Sequence, residues 1–576
     1  MRKTRLISLL GLMIVPVFLA MSQKQYPKDY FRSPVGFPIT LSGSFGEIRR
    51  NHFHSGIDIR TGGVEGKPVY AIADGYVSRV NVSPSGFGKA LYINHPNGYT
   101  SLYGHLRNYA GGIGSWVKTQ QYKKESFAMD TEVPEGTLKV KKGDLIAYSG
   151  NSGSSGGPHL HFEIRDTKSQ EIIDPLDFGL MKSDGIPPII THVKIFPIGE
   201  NSMVNFADKA VLFPVTGSGS NFRLRCADTV KVSGNIIFGI ETSDHAEGGL
   251  KTGVHVIDLA VDGVKVFSQN IDRFAFSETR YVNSLMDYPA YVQSKHKIQR
   301  SHVAPNNKLS VYSDVKNRGV LNFMDSKAHQ VRYVVKDAFG NSAMLLFYVK
   351  SHPPANMGEK PKATDNQGTQ LFSYKTDNHF ERTNLKFSVP SEAVYDDFPF
   401  EYSVTPSLHG SCSNVHRLQN QDTPLHTWCS LSIKPERLPE KLESKALIVS
   451  LDQRNRFASK GGKFENGWIT AKIRDFGNYT VAVDTVSPAI KAVNIFPGKT
   501  VTKQSTIQVK ISDNLAGINT YRGTLNGKWI LMDYDGKNSL LTYVFDEMIK
   551  SGKNIFVLVV TDAVGNSSRY EATLLR

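Results

Sequence analysis

The chain is short of several features that would each name a chemistry. It has only three cysteines in 576 residues, Cys226, Cys412 and Cys429, and none lies near the histidine pair at 159–161. With no GxSxG elbow either, neither a cysteine nor a serine nucleophile is expected. The HExxH helix signature of one large class of zinc peptidases is absent. Beyond residue 20 no run is long and apolar enough to span a bilayer. No nucleic-acid motif accompanies the net charge of +15, so that charge points to anionic polymers of another kind. A Cys412–Cys429 bridge fits an oxidising compartment and leaves Cys226 over, with free buried thiols as the alternative reading.

What is present begins with the first 22 residues. Arg2, Lys3 and Arg5 precede an apolar run from Leu6 to Ala20, and Ala20-Met21-Ser22 matches a small-x-small cleavage site. This reads as a secretory signal peptide, with an uncleaved anchor as the alternative. No cysteine follows it, which argues against a lipoprotein. The product is expected to be exported to the periplasm or cell envelope, or secreted, with no membrane span after cleavage. The lead at 23–39 is too short for a covering pro-domain. A 576-residue length implies about four domains, and 40% hydrophobic content supplies ordinary cores.

Three short pieces carry the chemistry: FHSGIDI with His54 and Asp58, YGHL with His105, and GPHLHFEI with His159 and His161. His159 and His161, at i and i+2 on a strand, leave the same face. Four residues of extended chain would hold His54 and Asp58 roughly 13 Å apart, too far for one ion, so the chain must turn at Ser55-Gly56, where glycine accepts unusual backbone angles. His52 competes with His54 from the same strand face but lacks the HxxxD spacing. Glu163 sits at i+2 from His161 and either orients it or is a strand residue near the rim. Three ligands plus two spare imidazoles would suit a hydrolytic zinc centre with one position left for water.

HxxxD, a downstream YxHL and a terminal GPHLHFE, in that order, resemble the lysostaphin/LytM-type zinc endopeptidases of bacterial peptidoglycan. The likeness covers about residues 40–180 and includes GSFGEIR, PVYAIADGYV and VKKGDLIAYSG. It implies a mainly β architecture with an antiparallel LytM-type sheet over 40–185 and one Zn2+ ion. The ion would be held by His54, Asp58 and His161. His105 and His159 take the places of the non-ligand catalytic histidines, which help deprotonate the water and steady the charge on the tetrahedral intermediate. The partners implied are peptidoglycan peptides. Two other readings stand beside it: a catalytically silent activator of another wall hydrolase, and a general secreted metalloprotease. In one place the chain departs from the family. The stretch between His105 and Lys141 is longer than usual, and residues 109–138 read as an inserted loop that either gates the groove or is a plain surface excursion.

From about residue 185 short Val/Ile/Phe/Tyr runs alternate with Gly, Asn, Asp and Pro turns, the pattern of β-sandwiches. DGIPPIITHVKIFP (Asp184–Pro197) returns as DTVSPAIKAVNIFP (Asp484–Pro497), and VRYVVKDAFGNSA (Val331–Ala343) as VLVVTDAVGNSS (Val557–Ser568). About three Ig-like sandwiches are expected: 186–352, 353–483 with a polar linker over 353–370, and 484–576. Their Asp-x-x-Gly-Asn closures read as hydrogen-bonded turns, with a calcium loop as the alternative. Glycan binding, contacts to other envelope proteins, or spacing of the peptidase are the roles open to them, and oligomeric state is not legible.

Overall fold

The computed structural model describes residues 26–183, 185–225, 229–246, 250–352 and 370–576. The expected signal peptide, Cys226 and the linker up to Gly368 and Thr369 lie outside the described residues.

The N-terminal domain, residues 26–183, is built around one antiparallel sheet. Its strands are β1 (Leu41–Gly43), β2 (Ile57–Arg60), β3 (Gly75–Val82), β4 (Lys89–Asn94), β5 (Tyr99–Gly104), β6 (Met129–Glu132) and β7 (His159–Asp166), arranged in the order β1-β2-β7-β5-β4-β3-β6. Sequence alternation explains the central strand. In β7, Leu160, Phe162 and Ile164 leave one face and are fully buried, joining Ile57, Ile59 and Tyr103 in the core. Each such side chain contributes about 1.5–3 kcal/mol by leaving water. The opposite face of β7 carries His159, His161, Glu163 and Arg165, and it too is mostly closed to solvent.

The core of this domain does not stop at residue 185. Strand Arg273–Phe274, from the segment that follows, pairs with Ile172–Ile173 and extends the sheet. Phe274 stacks on Phe45 with ring centroids 4.9 Å apart and lies 5.4 Å from Phe53. Val282, Leu285, Met286 and Leu309 close the same cluster.

The expected inserted loop at 109–138 is not a loop. Gly111–Lys124 forms helix α1, and β6 follows it to pair with β3. Ile113, Val117 and Gln121 recur every four residues and are the buried side of α1. The other side meets the last sandwich, where Tyr122 donates to Asp546 at 2.5 Å, Lys118 pairs with the same carboxylate at 2.9 Å, and Glu125 pairs with Arg522 at 2.6 Å. The segment thus ties the peptidase sheet to the last sandwich.

The remainder is three β-sandwich units with separate cores. The first is built around the long strands Ile189–Val204 and Thr229–Ala246. The second packs two five-stranded sheets across 378–483, and the third two four-stranded sheets across 489–575. The repeated closing motifs fall at equivalent hairpins, Ala328–Lys336 with Ser342–Ser351 and Lys553–Asp562 with Ser567–Leu575. In the first, Asp337 accepts from the amides of Phe339 and Asn341 and from the Asn341 side chain, as a turn requires. The Cys412–Cys429 bridge does not form. Both thiols are free and buried, and burial pushes the Cys429 thiol up to about 12. Both sulfurs sit among the second sandwich's apolar side chains.

Candidate active site

Register places the first two residues. In the antiparallel pair β2/β7, Asp58 lies directly opposite His161, which sets their Cβ atoms about 5 Å apart. His161 is also opposite Gly104 of β5, whose missing side chain leaves the imidazole its space; a Cβ there would come within 3.3 Å of the His161 Cβ. His54 reaches the same point from the turn before β2. That turn uses Gly56 for close approach rather than for the unusual backbone angle expected, since a Cβ at Gly56 would meet the Phe162 carbonyl oxygen at 2.3 Å.

The three donor atoms form a triangle. Asp58 Oδ1 lies 3.0 Å from His54 Nε2 and 2.9 Å from His161 Nδ1, and the two nitrogens are 3.1 Å apart. The far side of each ring shows which nitrogens carry protons. His54 Nδ1 faces the Ser44 carbonyl at 2.7 Å, and His161 Nε2 faces the Glu163 carboxylate at 2.9 Å. Both partners only accept, so each ring donates outward and turns its lone pair toward Asp58. Three acceptor atoms then face one another with no hydrogen between them, an arrangement that needs a cation at its centre. Zinc bonded at about 2.0–2.1 Å to N and O sets tetrahedral ligand edges of roughly 3.3 Å, close to the edges seen, so the donor set fits one such ion.

The electrostatics agree. Burial works against ionising Asp58, but the nitrogens of His54, His159 and His161 around it hold the carboxyl well below the usual range. Arg49 binds its other oxygen at 2.9 Å. Burial lowers His54, with Asp58 opposing. At His161 burial is outweighed by Asp58 and Glu163, which raise it to about 9: the pocket draws a positive charge, as a proton when no metal is there. Glu163 is held down to about 2 despite burial by Arg165, whose guanidinium lies 2.6 Å away, and by His161.

His105 and His159 form the wetter edge, with ring centroids 4.8 Å apart. His159 donates Nδ1–H to the Gly157 carbonyl at 2.8 Å and turns Nε2 to within 3.3 Å of Asp58 Oδ1. His105 donates Nδ1–H to the Ser152 carbonyl at 2.9 Å. Burial first, then His161 and His159, lower His105 to about 3, so it is neutral near pH 7. His105 adopts φ +57°, a left-handed conformation rare outside glycine and held here at the end of β5. All five singled-out residues therefore meet in one pocket. His52 does not join them; it is exposed, with Nδ1 on the Arg50 carbonyl. Glu163 is not near the rim but fully buried behind His161. Arg49 and Arg165 were not foreseen, although the run His159, His161, Glu163, Arg165 at every second position of an otherwise apolar strand was a visible signal.

A mainly antiparallel sheet with this pocket places the N-terminal domain among the β-sheet metallopeptidase domains. The family model of peptidase family M23 matches residues 52–122 and 127–175, and a Zu5-like domain model matches 369–484. Over residues 52–175 the chain is thus similar to the M23, lysostaphin/LytM-type peptidases. An uncharacterized metalloprotease of Haemophilus influenzae is 33% identical over 143 residues, 24% of this chain and 25% of the relative. The DD-carboxypeptidase/endopeptidase Mpg of Neisseria meningitidis is 32% identical over 19% of this chain and 20% of its own length. Peptidoglycan DD-endopeptidase ShyC of Vibrio cholerae is 29% identical over 24% of this chain and 27% of its own. The match spans about a quarter of these relatives' length.

Proposed function

We propose that the chain is a zinc-dependent endopeptidase that hydrolyses peptide crosslinks of bacterial peptidoglycan in the cell envelope. The observation that carries this reading is the triangle of His54 Nε2, Asp58 Oδ1 and His161 Nδ1, each turned inward by a partner behind it. The similarity to the DD-carboxypeptidase/endopeptidase of Neisseria and the peptidoglycan DD-endopeptidase of Vibrio supports the substrate class.

When bound, zinc supplies a water of lowered pKa and polarises the scissile carbonyl. The chain's own residues do the rest. Asp58, ionised and pinned by Arg49, and the two inward imidazoles would hold the ion. His159 and His105 are each anchored through Nδ1–H to a backbone carbonyl, which leaves Nε2 to receive the proton released as water adds to the amide. The same nitrogen returns that proton to the departing amine. Developing oxyanion charge is met by an imidazole once it is protonated. Because the donor triangle is complete, a silent activator role is the weaker reading.

The test incubates purified protein with sacculi and, separately, with casein, each with and without chelator. Release of muropeptides from sacculi that stops on chelation, with casein untouched, is the expected result. Undiminished release by His54→Ala would overturn the assignment.

A further inference from the structure

A second convergence of imidazole and carboxylate lies at the seam between the peptidase domain and the first sandwich, and it goes beyond the reading just given. His192, on strand Ile189–Val204, is the direct cross-strand partner of Glu241 on Thr229–Ala246. His296 reaches the same carboxylate from the segment that follows the short helix Tyr288–Ser294. Glu241 Oε2 lies 2.7 Å from His192 Nδ1 and 2.9 Å from His296 Nδ1, and the two rings stand 5.1 Å apart at 78°.

This repeats how the active site is built. There too an antiparallel register sets a carboxylate against one imidazole, and a residue from outside the strand pair brings the second. The contacts match as well, 2.9 and 3.0 Å at Asp58 against 2.7 and 2.9 Å at Glu241. As at Asp58, the carboxylate's other oxygen is fixed from outside, here by the amide of Lys297 at 2.9 Å. One ligand atom from each of the three side chains lies within 4.8 Å of the other two.

The two places differ in access. Side-chain exposure is 28% at His192, 18% at Glu241 and 32% at His296, so an ion can enter from solvent. The three open onto a cavity of about 450 Å³ that also has Glu47 of the peptidase domain and Lys297 in its wall.

We propose that His192, Glu241 and His296 form a second divalent-metal site, of the class that takes zinc, which fastens the 288–297 segment to the first sandwich. Two imidazoles and one carboxylate suit zinc over calcium or magnesium, which prefer oxygen ligands alone. With three protein ligands, a fourth position is left for water or an anion from the cavity.

The full-length protein is loaded with zinc, dialysed, and its metal counted by mass spectrometry alongside variants. Two equivalents are expected for the wild type, one for Asp58→Ala, one for His192→Ala/His296→Ala, and none for the combination. Glu241→Gln, which keeps a hydrogen-bonding group of the same shape, is expected to hold one equivalent. It serves where the double histidine variant fails to fold, with circular dichroism as the check. If the wild type holds one equivalent that Asp58→Ala removes, or if the His192, His296 and Glu241 variants keep the wild-type count, the second site does not exist. If zinc is lost on changing His192 and His296 but not on changing Asp58, this site stands and the active-site assignment falls.

Discussion

Asp58 in the peptidase sheet and Asp562 at the tip of the last sandwich are both buried aspartates, compensated in opposite ways. Asp562 Oδ1 accepts from the amides of Val564 and Asn566, and Oδ2 from the Asn566 side chain, all within four residues. Its neighbours Asp484 and Asp513 come within ligand distance, yet they also spend their oxygens on N–H groups. Asp484 takes Val486 and Ala516, and Asp513 takes Leu515 and Gly517, which leaves only Asp513 Oδ1 without a donor. The Asp58 side chain accepts from no backbone amide among the described residues. Its partners are nitrogens of His54, His159, His161 and Arg49, two of them about a hundred residues away. A carboxylate satisfied by its own turn shapes the chain. One satisfied only by side chains, two of them from a distant strand, with lone pairs left pointing inward, is arranged for something else.

Exchanging the two charges breaks that contrast most sharply. Asp58→Asn replaces an acceptor with an amide that must push N–H into the triangle or into Arg49. Zinc content is expected to fall by one equivalent and sacculus cleavage to background, while Asp562→Asn retains both. A full wild-type zinc count in Asp58→Asn would remove Asp58 from the site.

The next largest effect lies on the other side of the comparison. Asp562→Ala leaves the amides of Val564 and Asn566 without their acceptor, while the Asn566 side chain keeps the Asp484 carbonyl. At about 1–3 kcal/mol for each unsatisfied group, partly relieved by water, the expected loss is about 2–4 kcal/mol. Urea unfolding followed on the last sandwich measures it. Cleavage per folded molecule should not change, because no atom of the turn reaches the pocket.

These contrasts also mark how far the sequence could be read. HxxxD, YxHL and HxH were legible because short spacings on strands and turns fix which face each side chain leaves. The register that sets Asp58 against His161 was not, since cross-strand pairing is decided by the whole sheet. Helix α1 was hidden by its opening Gly-Gly-Ile-Gly, which by propensity favours a loop; burial of Ile113, Val117 and Gln121 and the contacts to Asp546 and Arg522 override that preference. The reach of the peptidase core to Phe274 and Leu309 is likewise a tertiary fact. Sandwich repeats were visible as motifs, and their turns fold as local hydrogen bonding dictates.

Glu163 sits between the two extremes, a buried carboxylate compensated by one imidazole and one guanidinium. Glu163→Gln keeps an acceptor for His161 Nε2–H but removes the charge that fixes its tautomer. It also leaves Arg165 without its counter-charge. Partners of this kind are worth about 10–100-fold in metal affinity or activity. Because the amide retains one hydrogen bond, a loss near tenfold in zinc affinity is expected, with the far-ultraviolet spectrum unchanged. An affinity equal to wild type would reduce Glu163 to a packing residue.

The smallest effect concerns carboxylates whose partners do not offset their burial. Asp174, Asp177 and Asp272 crowd together beside the peptidase sheet, and burial followed by mutual repulsion raises Asp177 to about 6, only partly opposed by Lys28. Asp174 and Asp272 are raised for the same first reason. A carboxyl whose folded pKa exceeds its unfolded one holds its proton more tightly when folded. Its contribution to stability is therefore complete below about pH 4 and is lost as pH rises to about 6. Asp177→Asn removes that loss. The variant and the wild type should melt together at pH 3.5, and the variant should gain progressively up to pH 6 and hold a constant advantage above it. For a partly solvated group with neighbours that can readjust, the plateau is about 1–2 kcal/mol. An advantage that grows toward low pH instead would mean that the Asp177 charge is stabilised in the fold, and the cluster would join Asp562 among the satisfied carboxylates.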